Sequence, residues 1–369
     1  MAIQHNSQSS TLRIHDLVQL VVLETMKGSR AYSESFEFAV ELACSALSQI
    51  KQPRMPEWWP QCESLVPHIQ SLTQEQETST RAKRQLLWAN QRCGWYLRGR
   101  GRYVEAEQLC RRMLTESERF FGAEDLDTFN ILNDLAWIYL FQARYDDAEP
   151  LFDRVLRTRK KSLGPEHRDT LDSMHRLAVV YYHQQRYHDA EELFKRILVI
   201  QERQFGSEDL DTLYTMYMLA RVHCSLRRYT DAEANFKRVL LVEVKTFGSE
   251  HVITLASMHE LAFVHYSQQR YDEAQALFTE VLLRKEKVYG SGHPATLLTK
   301  DCLARVYHSR GRYQEAEELL VDVLVGQEEI FGPSHPSTQA TIQLLASVYE
   351  ELGRSADAAV LNQRIVPSP

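Results

Sequence analysis

Residues 125–164 read DLDTFNILNDLAWIYLFQARYDDAEPLFDRVLRTRKKSLG, and the same grammar returns every 42 residues without insertion or deletion. Asp125 stands at a helix N-cap slot, with Thr128 three residues on; His167, Asp209, His251, His293 and His335 fill the same slot. Pro294 and Pro336 follow the cap directly, where a missing N–H costs nothing. A first helix, A, is expected to run to about Gln142 with Leu135, Ala136, Ile138 and Tyr139 buried. Ala143-Arg144 forms a tight turn. Helix B follows with Tyr145, Ala148, Leu151, Phe152, Val155 and Leu156 on one apolar face. Leu163-Gly164 ends it, with the glycine expected in the left-handed C′ conformation.

The period is carried by Tyr103, Tyr145, Tyr187, Tyr229, Tyr271 and Tyr313, and by the alanines from Ala106 to Ala358 three residues behind each step. Such a period means one supersecondary unit copied and stacked, each burying its neighbour's apolar face. The alanines read as close approaches of helix backbones, where a larger side chain overpacks. Counting from Thr80 gives seven helix pairs. The first departs from the pattern, with Cys93-Gly94 in place of Leu-Ala, and so does the last, with Ser355 in place of tyrosine. Terminal units that face water are expected to be atypical.

Composition narrows the class. The chain has 369 residues, 44% hydrophobic and 25% charged, and a formal net charge of −7, which argues against nucleic acid or an anionic membrane as the main partner. No apolar run approaches about 18 residues, so no membrane span is expected. MAIQHNSQSS lacks a basic start and an apolar core, so no secretory leader is expected either. Cys44, Cys62, Cys93, Cys110, Cys224 and Cys302 show no C-x-x-C pairing. They suit buried thiols in a reducing, cytoplasmic compartment.

The slots Leu135-Ala136, Tyr139, Ala148 and Phe152 resemble the tetratricopeptide repeat. The 42-residue length, with the turns Gly290 to Thr296 and Gly332 to Thr338, is similar to the kinesin light chain variety. The resemblance covers about residues 80–365. It implies an all-α, right-handed superhelical solenoid of seven helix pairs, with one side of helix A lining a concave groove. Kinesin light chain repeats carry a ladder of asparagines there; in this chain only Asn133 with Asp134 resembles it. Ile14 to Gln19, Trp58 to Cys62 and Leu65 to His68 resemble the segment that precedes the repeats in fungal STAND proteins, where the repeats act as sensor and an ATPase as switch. No G-x-x-x-x-G-K-[ST] phosphate loop is present, so the ATPase is not carried over.

These readings divide the chain into a disordered start (1–11), a helical cap (12–79) and the repeats (80–369). Three cap helices are expected, at about Leu12–Met26, Ala31–Ile50 and Trp58–Leu72. They either close the open end of the stack or bind something of their own.

The groove side of helix A does not repeat. Asn133 and Trp137 give way to His175, Arg176 and Tyr182, then to Tyr214, Tyr217 and Arg221, then to His259, Phe263 and Tyr266, then to Arg305. Aromatics and arginine dominate binding hot spots. These twelve residues are the candidate site for a protein or peptide segment bearing apolar and acidic groups, unless they pack against the following unit instead. His175, His259, His308, Asp301 and Cys302 offer metal or acid–base chemistry only from irregular slots, so no cofactor, no metal and no catalytic residue is expected. The leading function is a non-catalytic interaction scaffold or sensor. The alternatives are a small-molecule-binding or catalytic accessory protein using the groove as a pocket, and self-association of the repeats.

Overall fold

The computed structural model describes residues 30–53, 56–73 and 79–365, which hold sixteen α-helices and no strand. The helix expected at Leu12–Met26, the start expected to be disordered and most of the segment after Thr73 lie outside the described residues. The chain divides into two compact units, residues 1–184 and 185–369. Seven A/B pairs follow one another: 80–99 with 103–120, 126–141 with 145–162, 168–183 with 187–204, 210–225 with 229–247, 252–267 with 271–289, 294–309 with 313–331, and 336–351 with 355–362. The unit boundary falls in the turn of the third pair.

Each A helix from the second pair onward starts at the expected cap. Asp125 and Asp209 accept backbone N–H groups through carboxylate oxygens. His167, His251, His293 and His335 do the same through Nδ1, for example from Ala295 N at 3.1 Å, so that nitrogen carries no proton. The aromatic residue ending the previous B helix stacks on three of these caps, Phe247 on His251, Tyr289 on His293 and Phe331 on His335, at 4.6–4.8 Å.

The two turns use glycine differently from expectation. Helix B does end at glycine with positive φ, but Gly248 has φ 86° and ψ 165°. That is an extended region open to glycine alone, not the left-handed helical one. The chain leaves straight, and the glycine carbonyl accepts the threonine hydroxyl six residues on, Thr128 to Gly122 at 2.9 Å and Thr338 to Gly332 at 3.0 Å. The left-handed C′ cap instead closes helix A. There Arg144 N donates to Tyr139 O at 2.8 Å and Ala143 N to Leu140 O at 3.1 Å, the two bonds of a Schellman motif. Ala143, Arg227 and Gln269 hold φ of 57–61° in that turn, where Gly101, Gly311 and Gly353 hold 71–75°.

Within a pair, the alanines are fully buried and adjacent, as in Ala220 with Ala232 and Ala262 with Ala274. Phe152, Phe236 and Phe278 fill the space beside them. Four of the arginines that open B helices join successive pairs through a carboxylate. Arg144 reaches Glu107 at 3.0 Å, Arg228 reaches Glu191 at 2.5 Å, Arg270 reaches Glu233 at 2.8 Å and Arg354 reaches Glu317 at 2.6 Å. Each acceptor lies one full unit back on the preceding B helix. Burial pushes Glu191 and Glu233 up, but hydrogen bonds from Lys195 and Arg228, and from Lys237 and Arg270, outweigh it and hold both at about 2. The same guanidinium lies over the tyrosine ending helix A, Arg144 over Tyr139 and Arg354 over Tyr349, both at 4.3 Å.

The two described cap helices, Arg30–Ser48 and Trp59–Thr73, pack on helix 80–99. Asn90 donates to Thr73 Oγ1 at 2.7 Å, Arg92 donates to the Ile50 carbonyl, and Arg100 lies over Trp59 at 4.8 Å.

Candidate functional site

In residues 1–184, Trp137 and Arg176 come together. The half-buried Trp137 ring stacks on Phe141 at 5.8 Å and meets Phe152 edge-on at 6.0 Å. The Arg176 guanidinium lies 5.2 Å from the Trp137 ring centroid. Arg176 also donates to Asp172, four residues earlier, at 2.6 Å. Asn133 is half-buried, and its side-chain oxygen is shielded from solvent without a hydrogen-bond partner. His175 is buried, and desolvation pushes its imidazole down to about 4. Tyr182 is half-buried, edge-on to His183 at 5.4 Å.

In residues 185–369, the slot that holds Asn133 in the earlier unit holds Tyr217, His259 and Asp301. Tyr217 meets Phe236 edge-on at 5.6 Å, and His259 meets Phe278 at 5.3 Å. These two therefore rest on the core of their own pairs. The Tyr217 hydroxyl donates to Glu260 at 3.4 Å, and Arg221 approaches the same carboxylate at 3.7 Å. Burial raises the Tyr217 phenol and the Glu260 carboxyl alike. Arg305 donates to Asp301 at 2.7 Å. Tyr214 and Phe263 are exposed. Phe263 lies 6.3 Å from Tyr266, whose hydroxyl is 3.3 Å from Ser309 Oγ.

The reactive-looking pair in this unit is electrically neutral. His259 is buried and pushed down to about 3, first by desolvation and then by Lys285. Cys302 Sγ lies 3.9 Å from His259 Nε2, but burial pushes its thiol up to about 12. A neutral imidazole beside a protonated thiol is not an activated nucleophile. Among the described residues, no group of three or more His, Cys, Asp or Glu is placed to hold a metal ion.

The tetratricopeptide repeat family matches residues 85–161, 140–202, 169–241, 211–287, 253–324 and 297–367. The chain belongs to the tetratricopeptide repeat family. No curated protein matches it. It is similar to the nearly identical repeats of a putative kinesin light chain from Podospora anserina, at 32% identity over 54% of this chain and 95% of that one, TM-score 0.48. The apo quorum sensor NprR from B. thuringiensis covers 95% of both chains at 12% identity and TM-score 0.67. A STAND signal-transduction ATPase with a tetratricopeptide repeat sensor, from Pyrococcus horikoshii, covers 98% of this chain at 13% identity and TM-score 0.58. This chain spans 53% of that protein's length.

A second set of polar residues in these tetratricopeptide pairs, all buried but the half-buried Arg159, escapes the sequence reading. One slot on helix B holds Ser117, Arg159, Gln201, Glu243, Lys285 and Gln327, a different chemistry almost every time. It faces small hydroxyls on the next A helix. Arg159 donates to Ser173 Oγ at 2.9 Å, Lys285 to Thr299 Oγ1 at 2.9 Å, and Thr341 Oγ1 to Gln327 at 2.9 Å. Thr299 also lies 3.2 Å from His259 Nδ1. Lys285 is pushed down to about 8 by burial, with Cys302 and Glu260 opposing. Glu243 is raised to about 7 by burial, offset only in part by Ser257. The one available signal was a polar residue recurring in step inside helix B's apolar face.

Proposed function

We propose that the A-helix faces hold an extended segment of a partner protein, with aromatic side chains as anchors and no catalytic step. The observation that carries this reading is the exposure of Tyr214, and of Phe263 beside Tyr266, in slots that vary between units and so have no shared packing duty. Trp137 supplies the corresponding anchor in the other unit. Exposed aromatics that gain burial on binding are the usual hot spots of an interface. The arginines play a different part from the one their residue type suggests. Arg176, Arg221 and Arg305 each already meet a carboxylate of the same face. Paired arginines form a polar rim that orients a guest, while the aromatics supply the affinity. His175, His259 and Tyr217 support this face from beneath. The fold shared with a quorum sensor and with a STAND sensor region suits recognition of this kind. Six free cysteines suit residence in a reducing compartment such as the cytoplasm.

A random peptide display library panned on the whole protein tests the reading. Enriched peptides are expected to bind Tyr214→Ala/Phe263→Ala/Tyr266→Ala at least about tenfold more weakly than wild type. Equal affinity for both proteins refutes it.

A further inference from the structure

One exposed slot on helix B is apolar in four successive pairs of the second unit. It holds Val199, Leu241, Leu283 and Val325, which are 67%, 76%, 65% and 53% exposed. The same slot in the first unit holds Thr115 and Arg157, also exposed. The position therefore faces water in each of the six pairs where it is described, and four consecutive pairs make it apolar. Scattered exposed leucines need no explanation, but a row of them in register marks an interaction surface.

The charges around the row change sign along it. Lys195, Arg196 and Arg203 lie one turn to either side of Val199 beside Glu202, and Lys237, Arg238 and Lys245 flank Leu241; Lys195 is paired to Glu191, Lys237 to Glu233, Arg238 to Glu202 and Lys245 to Glu208. Beyond the midpoint, Glu280 and Glu286 flank Leu283, with Lys287 opposing and Arg284 paired to Glu280 at 2.5 Å, and Asp322, Glu328 and Glu329 flank Val325, with Lys300 on Asp322 and Arg364 on Glu328. The row thus has a basic half and an acidic half. Read from either end, its side chains run valine, leucine, leucine, valine. A surface that matches itself on reversal, in both side-chain size and charge, has the symmetry of an isologous two-fold contact, in which each residue meets its counterpart's partner.

We propose that a second copy of this chain docks on the row in antiparallel orientation. Val199 then meets the other copy's Val325, Leu241 meets its Leu283, and each basic half lies on an acidic half. Parallel docking would set like charges against each other along the whole row, which is strongly disfavoured. The surface is on the B helices and is independent of the A-helix site.

Sedimentation of the whole protein up to about 100 μM tests this. Wild type is expected to show a concentration-dependent doubled mass, and Leu241→Lys/Leu283→Lys to lose it while keeping its helical circular dichroism. Arg196→Glu/Arg238→Glu and Glu280→Lys/Glu329→Lys each weaken the doubled mass alone and recover it in part when mixed, because one of the two contacts then sets an unaltered basic half on an unaltered acidic half. A photo-crosslinking residue at position 241 gives a cross-linked dimer even if a lysine variant folds poorly. Wild type that stays monomeric, a leucine double variant that folds and still dimerises, a mixture no heavier than its components, or an absence of crosslink overturns the proposal.

Discussion

Glu243→Gln is expected to stabilise the protein at neutral and basic pH and to leave it almost unchanged in mild acid. The Glu243 carboxyl is 3% exposed, and Oε2 has no hydrogen-bond partner. Burial raises it from 4.5 to about 7. The folded state therefore holds the proton more tightly than the unfolded chain does. No stability is forfeited below pH 4.5; the loss grows as pH rises and is complete above pH 7. At about 1.4 kcal/mol per pK unit, the loss is about 3 kcal/mol at pH 8 and under about 1 kcal/mol at pH 5. Glutamine keeps the shape of the neutral acid without the charge, and the fold already accepts it in this slot at Gln201 and Gln327. Urea unfolding followed by far-ultraviolet circular dichroism, at pH 5 and pH 8, measures the difference. Repeat arrays unfold less cooperatively than small domains, so the comparison rests on how the mutant's gain changes with pH. A gain equal at both pH values, or a mutant weaker than wild type at pH 8, refutes the reasoning.

Two further changes probe the repeat itself. Ala262→Leu, at a fully buried contact with Ala274, is expected to cost about 1–3 kcal/mol by overpacking, seen as a lower urea midpoint. Gln269→Gly should stabilise the fold by about 0.5–1 kcal/mol and so raise that midpoint, because Gln269 holds φ 61° in a turn where the next unit uses Gly311 at φ 71°; an unchanged or lower midpoint tells against strain there.

The packing of the repeat was largely legible in the sequence, because a fixed period reports whatever every unit must do alike. Tyr145, Ala148 and the cap at Asp125 lie where their spacing puts them. The glycine that ends helix B was placed at the right turn, but Gly248, with ψ 165°, lies outside the expected left-handed helical region, since the sequence marks the need for positive φ and not which glycine region is used. The turn that does adopt the left-handed cap mostly lacks glycine, so nothing in Ala143 or Gln269 marks it. The arginine at Arg144 looked like part of a turn, because its carboxylate partner lies a whole unit away at Glu107. The site was legible as a variable face but not in depth. Tyr217 and His259 belong to one slot and rest edge-on against the core, whereas Phe263, four residues past His259, points to solvent. Helical periodicity resolves faces, and one face holds both kinds of position.

The arginine that opens each B helix makes the chain divisible. Arg228 takes Glu191 behind it and Asp231 ahead; Arg270 takes Glu233 and Glu273 in the same way. Removing residues 229–270 would splice Arg228 onto Tyr271. Arg228 would keep Glu191 and find Glu273 where Asp231 had been, and Arg312 would still reach Gln275. The arginine pairs at the new joint are of kinds the protein already makes. Unequal recombination can therefore shorten or extend this chain by whole blocks, changing how much surface it presents without inventing a new joint.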